Sequence, residues 1–390
     1  MENGGAPEEG FADDIVRVSI YDVPLLAKKD FLPWHQPRKQ FVRQNQWCEQ
    51  IERMLEDMQP ADNVLRYLGL PGVDLLDLRH FHTAICLPRN LTLRFLGFNT
   101  AANPTNENQT ELNISLDEVR RLEFVDPRSD VIADDFTRVA NDTSLAWKRA
   151  LALGPYDVIN LDLCDGFGLK GPDTLDDTHY KAVNRLMSLQ ARTKTPWLLL
   201  LTTRVGDQHV HPDVLKAFLE KYLANLTDCP PFKDASGKLL AIEDQPALQA
   251  AAATGTGALP LFLCGLTKWL FGLALEHQPP TLPELRSVLG YRVDHGVQHE
   301  DLISLAIRFT PTFQPTPDPL GLGNQSVAKL DECALSVKVL NRVAKRRDVD
   351  AILKENAVIV AQMVDATANL LAIARYDPDA YRAWVQALNA

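Results

Sequence analysis

The chain is 390 residues long, with 46% hydrophobic and 23% charged residues, enough for an α/β core with helical additions or for two domains. Its formal net charge of −11 argues against a protein that coats nucleic acid through bulk charge and leaves room only for a local basic groove. The cysteines, Cys48, Cys86, Cys164, Cys229, Cys264 and Cys333, form no C-x-x-C pair, which reads as reduced thiols in a cytoplasmic protein, with neither a zinc site nor a disulfide framework.

Residues 1–13 are acidic and Gly-rich without an apolar run, a disordered lead-in and not a signal peptide. Residues 14–62 read as an N-terminal strand (Asp14 to Tyr21) and a helical arm reaching about Met58. On a helical wheel Phe41, Cys48, Ile51, Leu55 and Met58 share one side, which should pack on the core. Lys39, Arg43 and Trp47 share the other. With Arg38 they form a cationic, indole-bearing face suited to phosphate and base contacts; a solvated face with Trp47 tucked against a neighbour is the alternative.

Residues 63–225 carry strands alternating with helical segments. Leu68-Gly-Leu-Pro-Gly-Val-Asp74 is turn chemistry, Leu75 to Phe81 reads as a buried strand, and Leu91 to Phe98 as the next. Asn99 to Asn113 reads as an exposed loop. Ser115-Leu-Asp-Glu118 has the form of a capping box that would start a short helix to Leu122. Asp130 to Phe136 gives a third strand, and a helix runs through Trp147 to Leu153. The organising strand is Val158 to Leu163, which runs into Cys164-Asp-Gly-Phe-Gly168. A helix over Thr178 to Arg192 and a strand over Trp197 to Leu201 follow. This alternation predicts an α/β fold: a Rossmann-like, mostly parallel sheet with helices on both faces.

Residues 226–319 read as a helical insertion with one possible added strand at Leu302 to Phe309, ending in a Pro-rich linker from Thr310 to Pro319. Within it Ala258 to Leu275 is the sole membrane suspect; Pro260, Gly265, Lys268 and Gly272 interrupt it, so a buried core helix is expected and no membrane span. Residues 320–390 read as a C-terminal helical bundle, with Val327 to Ala344, Val349 to Leu371 and Pro378 to Leu388 as its helices. Such an extension offers a surface for protein partners.

Ligands of open parallel sheets bind at the carboxyl ends of the strands. Those ends carry Asp77 with Arg79 and His80, then Asn99, Asp134 with Asp135, and Asp162 with Cys164 and Asp165. Acidic and amide groups at successive ends suit a ligand whose ribose and exocyclic amine donate hydrogen bonds. The order resembles the class I S-adenosylmethionine-dependent methyltransferase fold over roughly Asn63 to Val205. The resemblance implies S-adenosylmethionine as cofactor. Leu75-Leu-Asp-Leu78 would be the first motif strand, with Asp77 near the methionine amine and Arg79 beside it. Asn99 would lie at the ribose, and Asp134 or Asp135 at the adenine amine. Asn160-Leu-Asp-Leu-Cys-Asp165 would be the fourth motif, which carries catalytic residues. In that reading Gly69 and Gly72 precede the first strand, so no glycine loop follows Leu78.

Asp162 and Asp165 are then candidates to orient or deprotonate a methyl acceptor, and Cys164 a candidate nucleophile. Against these stand loop-capping roles for the aspartates and a small apolar role for the cysteine. The pairs His80/His82 and His209/His211 lack a third ligand in register, so no metal is expected. Lys345-Arg-Arg347 could join Arg38, Lys39 and Arg43 in outlining a nucleic-acid groove. The sequence thus points to a methyltransferase-like protein acting on a large substrate, RNA or DNA foremost. The alternative is a non-catalytic Rossmann-like scaffold or sensor subunit of a multi-gene bacterial system, such as one for phage defence.

Overall fold

The computed structural model describes residues 30–169, 178–206, 208–294, 299–312, 320, 322 and 330–388. The lead-in, the strand expected at Asp14 to Tyr21 and residues 313–319 of the expected linker lie outside these. The fold is α/β, built on one eight-stranded, mostly parallel sheet in the order β3-β2-β1-β4-β5-β7-β6-β8.

The parallel strands are β1 (Val64–Gly69), β2 (Thr92–Phe98), β3 (Asp130–Ile132), β4 (Val158–Asp162) and β5 (Trp197–Arg204). Two longer strands, β6 (Thr281–Tyr291) and β7 (Leu302–Pro311), extend the sheet as an antiparallel pair beside β5, and the short β8 (Arg347–Asp348) joins β6 at Leu289 and Gly290. The segment read as a helical insertion therefore supplies two strands to the same sheet. Pro283 conceals β6 in the sequence, because a proline breaks the strand pattern; it is tolerated here because it sits near the sheet margin.

One sheet face is covered by the N-terminal and early helices: α1 (Pro37–Val42) continues through a π-helical stretch at Arg43–Cys48 into α2 (Glu49–Asp57), and α3 (Leu76–Phe81) continues through His82–Cys86 into α4 (Leu87–Arg89), followed by α5 (Gln109–Arg120). Phe41, Trp47, Ile51, Phe81 and Leu116 pack there against Leu65, Leu93 and Leu198. The other face takes α6 (Leu145–Leu153), α7 (His179–Gln190), α8 (Pro212–Asp228), α9 (Pro230–Leu240), α10 (Gln245–Ala252), α11 (Gly255–Leu275) and α12 (Glu332–Ala344). The last helices, α13 (Val349–Glu355), α14 (Ala357–Ala372) and α15 (Pro378–Leu388), close the chain. Leu371, Tyr376, Tyr381 and Trp384 of that closing unit hold Phe31 of the N-terminal segment. The apolar helix α11 is 67% buried over its most apolar stretch and packs in this core.

Several expectations are corrected. Leu75 to Phe81 is a helix, not a strand: Leu75, Leu78, Phe81 and Ile85 are fully buried at helical spacing, a period that a seven-residue apolar run does not reveal. The strand is instead Val64–Gly69. Ser115 does not start a helix but lies buried inside α5, because the apolar spacing Leu112, Leu116, Val119 extends upstream of it. The apolar helix expected over Ala258 to Leu275 begins a few residues earlier, at Gly255, because the Thr254 side chain accepts from the Gly257 amide and starts α11. Cys229 and Cys333 are joined by a disulfide across 104 residues, where reduced thiols were expected. Their spacing carries no signal, because α9 and α12 meet only in the folded chain.

Candidate functional site

The strand order of the sheet reverses between the parallel neighbours β1 and β4, the place where doubly wound folds bind ligands. β1 ends at Gly69, and Leu70-Pro-Gly-Val-Asp74 follows as a loop into α3. So the glycines do follow the first strand, contrary to the sequence expectation. Each has a steric reason. A Cβ at Gly69 would collide with the Tyr67 ring, and one at Gly97 on β2 would lie 2.8 Å from Pro71 Cγ, so Gly97 lets the loop settle onto the strand end. A Cβ at Gly72 would meet nothing within 4 Å: it faces open space. The loop closes onto α3 at Leu75, which takes a left-handed conformation (φ 52°).

That space is a cleft of about 430 Å³. Along it lie the loop, Asn99 after β2, Asp134 and Asp135 after β3, and Asp162 to Cys164 after β4. Asn99 fixes the rim: its Nδ2 donates to the Pro71 carbonyl at 2.8 Å, and its Oδ1 accepts from the Ala101 amide at 2.8 Å. Asp135 caps the turn after it, accepting from the Thr137 amide and hydroxyl at 2.7 Å each. Asp134 accepts the Asp135 amide at 3.0 Å. On the apolar wall His179 stacks between Phe136 and Phe167, at 6.3 and 5.7 Å between ring centres. Trp34, 48% exposed, stands at the mouth.

The cleft floor consists of ion pairs. Lys39 Nζ lies 2.5 Å from Asp162 Oδ1, and Arg43 Nε donates to Asp77 Oδ1 at 2.6 Å. Lys39 also sits 4.5 Å above the Trp47 ring. Burial disfavours its ammonium, but Asp162 foremost, then Tyr291 and Asp77, outweigh this and raise its pKa. Trp47 is fully buried and donates its indole N–H to Ser304 at 3.3 Å. Arg38 donates to the Arg292 carbonyl and lies 3.6 Å from Asp350.

The exposed cationic face expected of Arg38, Lys39, Arg43 and Trp47 is therefore corrected: Lys39, Arg43 and Trp47 are buried and Arg38 is held across to the end of β6. A wheel shows which residues share a side, but not that the second side of this helix is covered by a carboxylate-bearing sheet edge. Nor do they join the later basic run. Arg346 binds Glu300 at 3.2 Å, and Arg347 lies over the Phe41 ring.

The fourth-motif residues divide by environment. Cys164 is exposed on the cleft, yet partial burial, then the Asp162 charge, push its thiol up, with Lys39 opposing. It is a thiol and not a ready thiolate. Asp165 accepts from the Gly166 amide at 2.7 Å and lies 2.6 Å from His209 Nδ1. Burial works against its charge, but those two partners hold the carboxyl below its usual range. Gly166 permits this, since a Cβ there would strike the His209 carbonyl. The sequence shows His209 only as half of an H-x-H pair; its link to Asp165 is visible only once two strand-end loops interlock.

Arg79 does not face the cleft. It donates to the Asp74 carbonyl at 3.0 Å and the Ile373 carbonyl at 2.9 Å and pairs with Glu118, bracing the loop from behind. Asp74 accepts from the Tyr376 hydroxyl at 2.9 Å. His80 and His82 diverge: His82 meets the Glu123 carbonyl at 2.7 Å, while burial foremost, then Arg43, push His80 down to about 4. Among the described residues no group of three or more His, Cys, Asp or Glu side chains is arranged to hold a metal ion.

A family model described as PP_RS20740-like matches residues 28–386. No curated protein matches the sequence.

Proposed function

The chain belongs to the PP_RS20740-like family, and we propose that it binds S-adenosylmethionine or a related nucleoside in the strand-end cleft, as a methyltransferase-like protein acting on a large substrate. The observation that carries this reading is Gly72, whose missing side chain leaves room at the carboxyl end of β1 for a ligand to approach the backbone. The sheet order, with β7 antiparallel between β5 and β6, is also that of the class I methyltransferase fold. Neither Phe81 nor His80 blocks the cleft; both point away from it into or beside the core under α3.

The donor set suits this ligand. The ligand offers an ammonium, ribose hydroxyls and an exocyclic amine, all donors; the strand ends offer the carboxylates of Asp134 and Asp162, and the first turn of α3 that of Asp77. Asp77 would take the methionine end beside Gly72. Asn99 has both its amide groups engaged in the rim and would meet the ribose through its remaining carbonyl lone pair. Asp134 would face the adenine amine between Phe98 and Phe136. Bound there, the cofactor supplies an electrophilic methyl group. The chain's own contribution is electrostatic: Asp134 stands on the cleft outside the two ion pairs of the floor and favours a cationic ligand. Asp165 holds His209 by Nδ1 and so ties the loop after β4 to the loop after β5, beside the cleft and not in its lining.

Nucleic acid as the large substrate loses the residues that motivated it, because Lys39, Arg43 and Trp47 serve the floor. One observation favours the scaffold reading. Lys39 and Arg43 already neutralise Asp162 and Asp77, the acids a catalyst would direct at substrate. Thermal unfolding with added S-adenosylmethionine, S-adenosylhomocysteine or ATP separates the two. The binding reading expects the midpoint to climb with the logarithm of either adenosyl ligand and not with ATP; a midpoint indifferent to all three leaves the scaffold.

A further inference from the structure

A second groove, of about 520 Å³, lies between the first half of β6 and α12. Pro283 pairs with Phe309, and Phe309 with Trp197 at the start of β5, so this groove is at the opposite end of the sheet from the cleft. Its floor is apolar, with Phe271, Leu285 and Val339. Its rim carries Lys338, Arg342 and Lys345, all exposed, on the α12 side, and on the β6 side Glu284, whose charge is met by Arg286. Positions four and three residues apart share one helix face, so the cations form a row. Among the described residues none of the three has a hydrogen bond or ion pair, although neighbouring cations do: Arg286 binds Glu284 and Arg346 binds Glu300. A row of unneutralised cations over an apolar floor contrasts with the net charge of −11.

The strand beside it is unfinished. β8 meets β6 only at Leu289 and Gly290, so Thr281 to Leu285 present an unpaired edge among the described residues. Pro283 lacks an N–H, which leaves that edge richer in acceptors than in donors.

We propose that this groove docks an extended acidic segment of a partner protein, added alongside β6. Peptide N–H groups would meet the β6 edge, as in strand addition, and carboxylates on one side of the segment would meet the row. The spacing agrees: same-side residues of a strand are about 6.6 Å apart, and Lys338 and Arg342 are about 6 Å apart along the helix axis. A nucleic-acid strand fits less well. Its backbone has no N–H for the edge, and the only ring in the groove, Phe271, is buried and unable to stack a base. The proposal is independent of any ligand in the cleft.

The test is fluorescence anisotropy of the full chain with a labelled alternating Glu-Val decapeptide, an alternating Lys-Val decapeptide and oligothymidylate. The Glu-Val peptide is expected to bind, to weaken as salt is raised, and to lose at least ~10-fold in affinity in a Lys338→Glu, Arg342→Glu, Lys345→Glu variant. The variant is expected to keep the wild-type melting curve, because the three side chains are exposed and unpartnered. No binding of the Glu-Val peptide, equal binding by the variant, or tighter binding of oligothymidylate would overturn the proposal.

Discussion

At the scale of single residues, the site is governed by two ion pairs that join the first helix to the end of β4 and to the first turn of α3. Arg43 and Asp77 are both nearly inaccessible, so removing one partner strands the other charge. Arg43→Ala is expected to cost about 3–5 kcal/mol in urea unfolding, whereas Arg43→Met combined with Asp77→Leu should recover most of it. His80 contributes a pH dependence. Its native pKa of about 4 lies below its ordinary 6.5, so the unfolded chain takes up a proton that the native one refuses. The stability held above about pH 6.5 is therefore lost as pH falls toward 4. Between pH 6.5 and 5 this amounts to roughly 2 kcal/mol, and His80→Gln should abolish that share of the acid sensitivity in unfolding curves. Asp162 was legible in the sequence as a strand-end acid because it closes an apolar run, whereas Asp77 was placed on a strand and lies in the first turn of α3. Their partners were not legible: Lys39 lies 123 residues from Asp162, and no local pattern links residues so far apart.

The element that decides the reading is the β1-loop-α3 unit. Its existence was legible and its phase was not. Val64–Gly69 and Leu75–Phe81 are both short apolar runs, and periodicity alone does not separate a buried strand from a buried helix of that length. Taking the second run for the strand placed Gly69 and Gly72 on its wrong side. With the strand assigned to Val64–Gly69, Gly97 and Asn99 acquire a purpose, one by leaving space for Pro71 and the other by binding its carbonyl. Asn99→Asp would set a carboxylate against that carbonyl in place of a donor. The loop is expected to loosen, at a cost of about 1–3 kcal/mol, seen as faster amide exchange from Gly69 to Asp74. Strands β2 and β4 were read to within a residue because each is a continuous apolar run between turns, whereas β3, expected to reach Phe136, ends at Ile132, and β5, expected to end at Leu201, continues through Thr202 and Thr203 to Arg204.

At the scale of the whole molecule, the first and last described segments converge behind the loop. Tyr376 holds Asp74, Arg375 reaches Glu111 and Glu118, and Tyr381 donates to the His35 carbonyl. The closing helices thus brace the loop from behind, which explains why segments that read as additions belong to one fold. The Cys229–Cys333 bond ties α9 to α12 in the same spirit. Cys333→Ser is expected to lower stability by about 2–4 kcal/mol without dithiothreitol and to remove the effect of adding it. The central claim is that the space beside Gly72 is a ligand site. Calorimetric titration of S-adenosylmethionine into the wild-type chain and into Gly72→Val tests it most directly. A valine there meets no protein atom at its Cβ, so the variant should unfold as the wild type does. The account predicts saturable heat in the wild type and affinity at least ~10-fold weaker in the variant. Absent heat in the wild type, or equal heat in the variant, would contradict it.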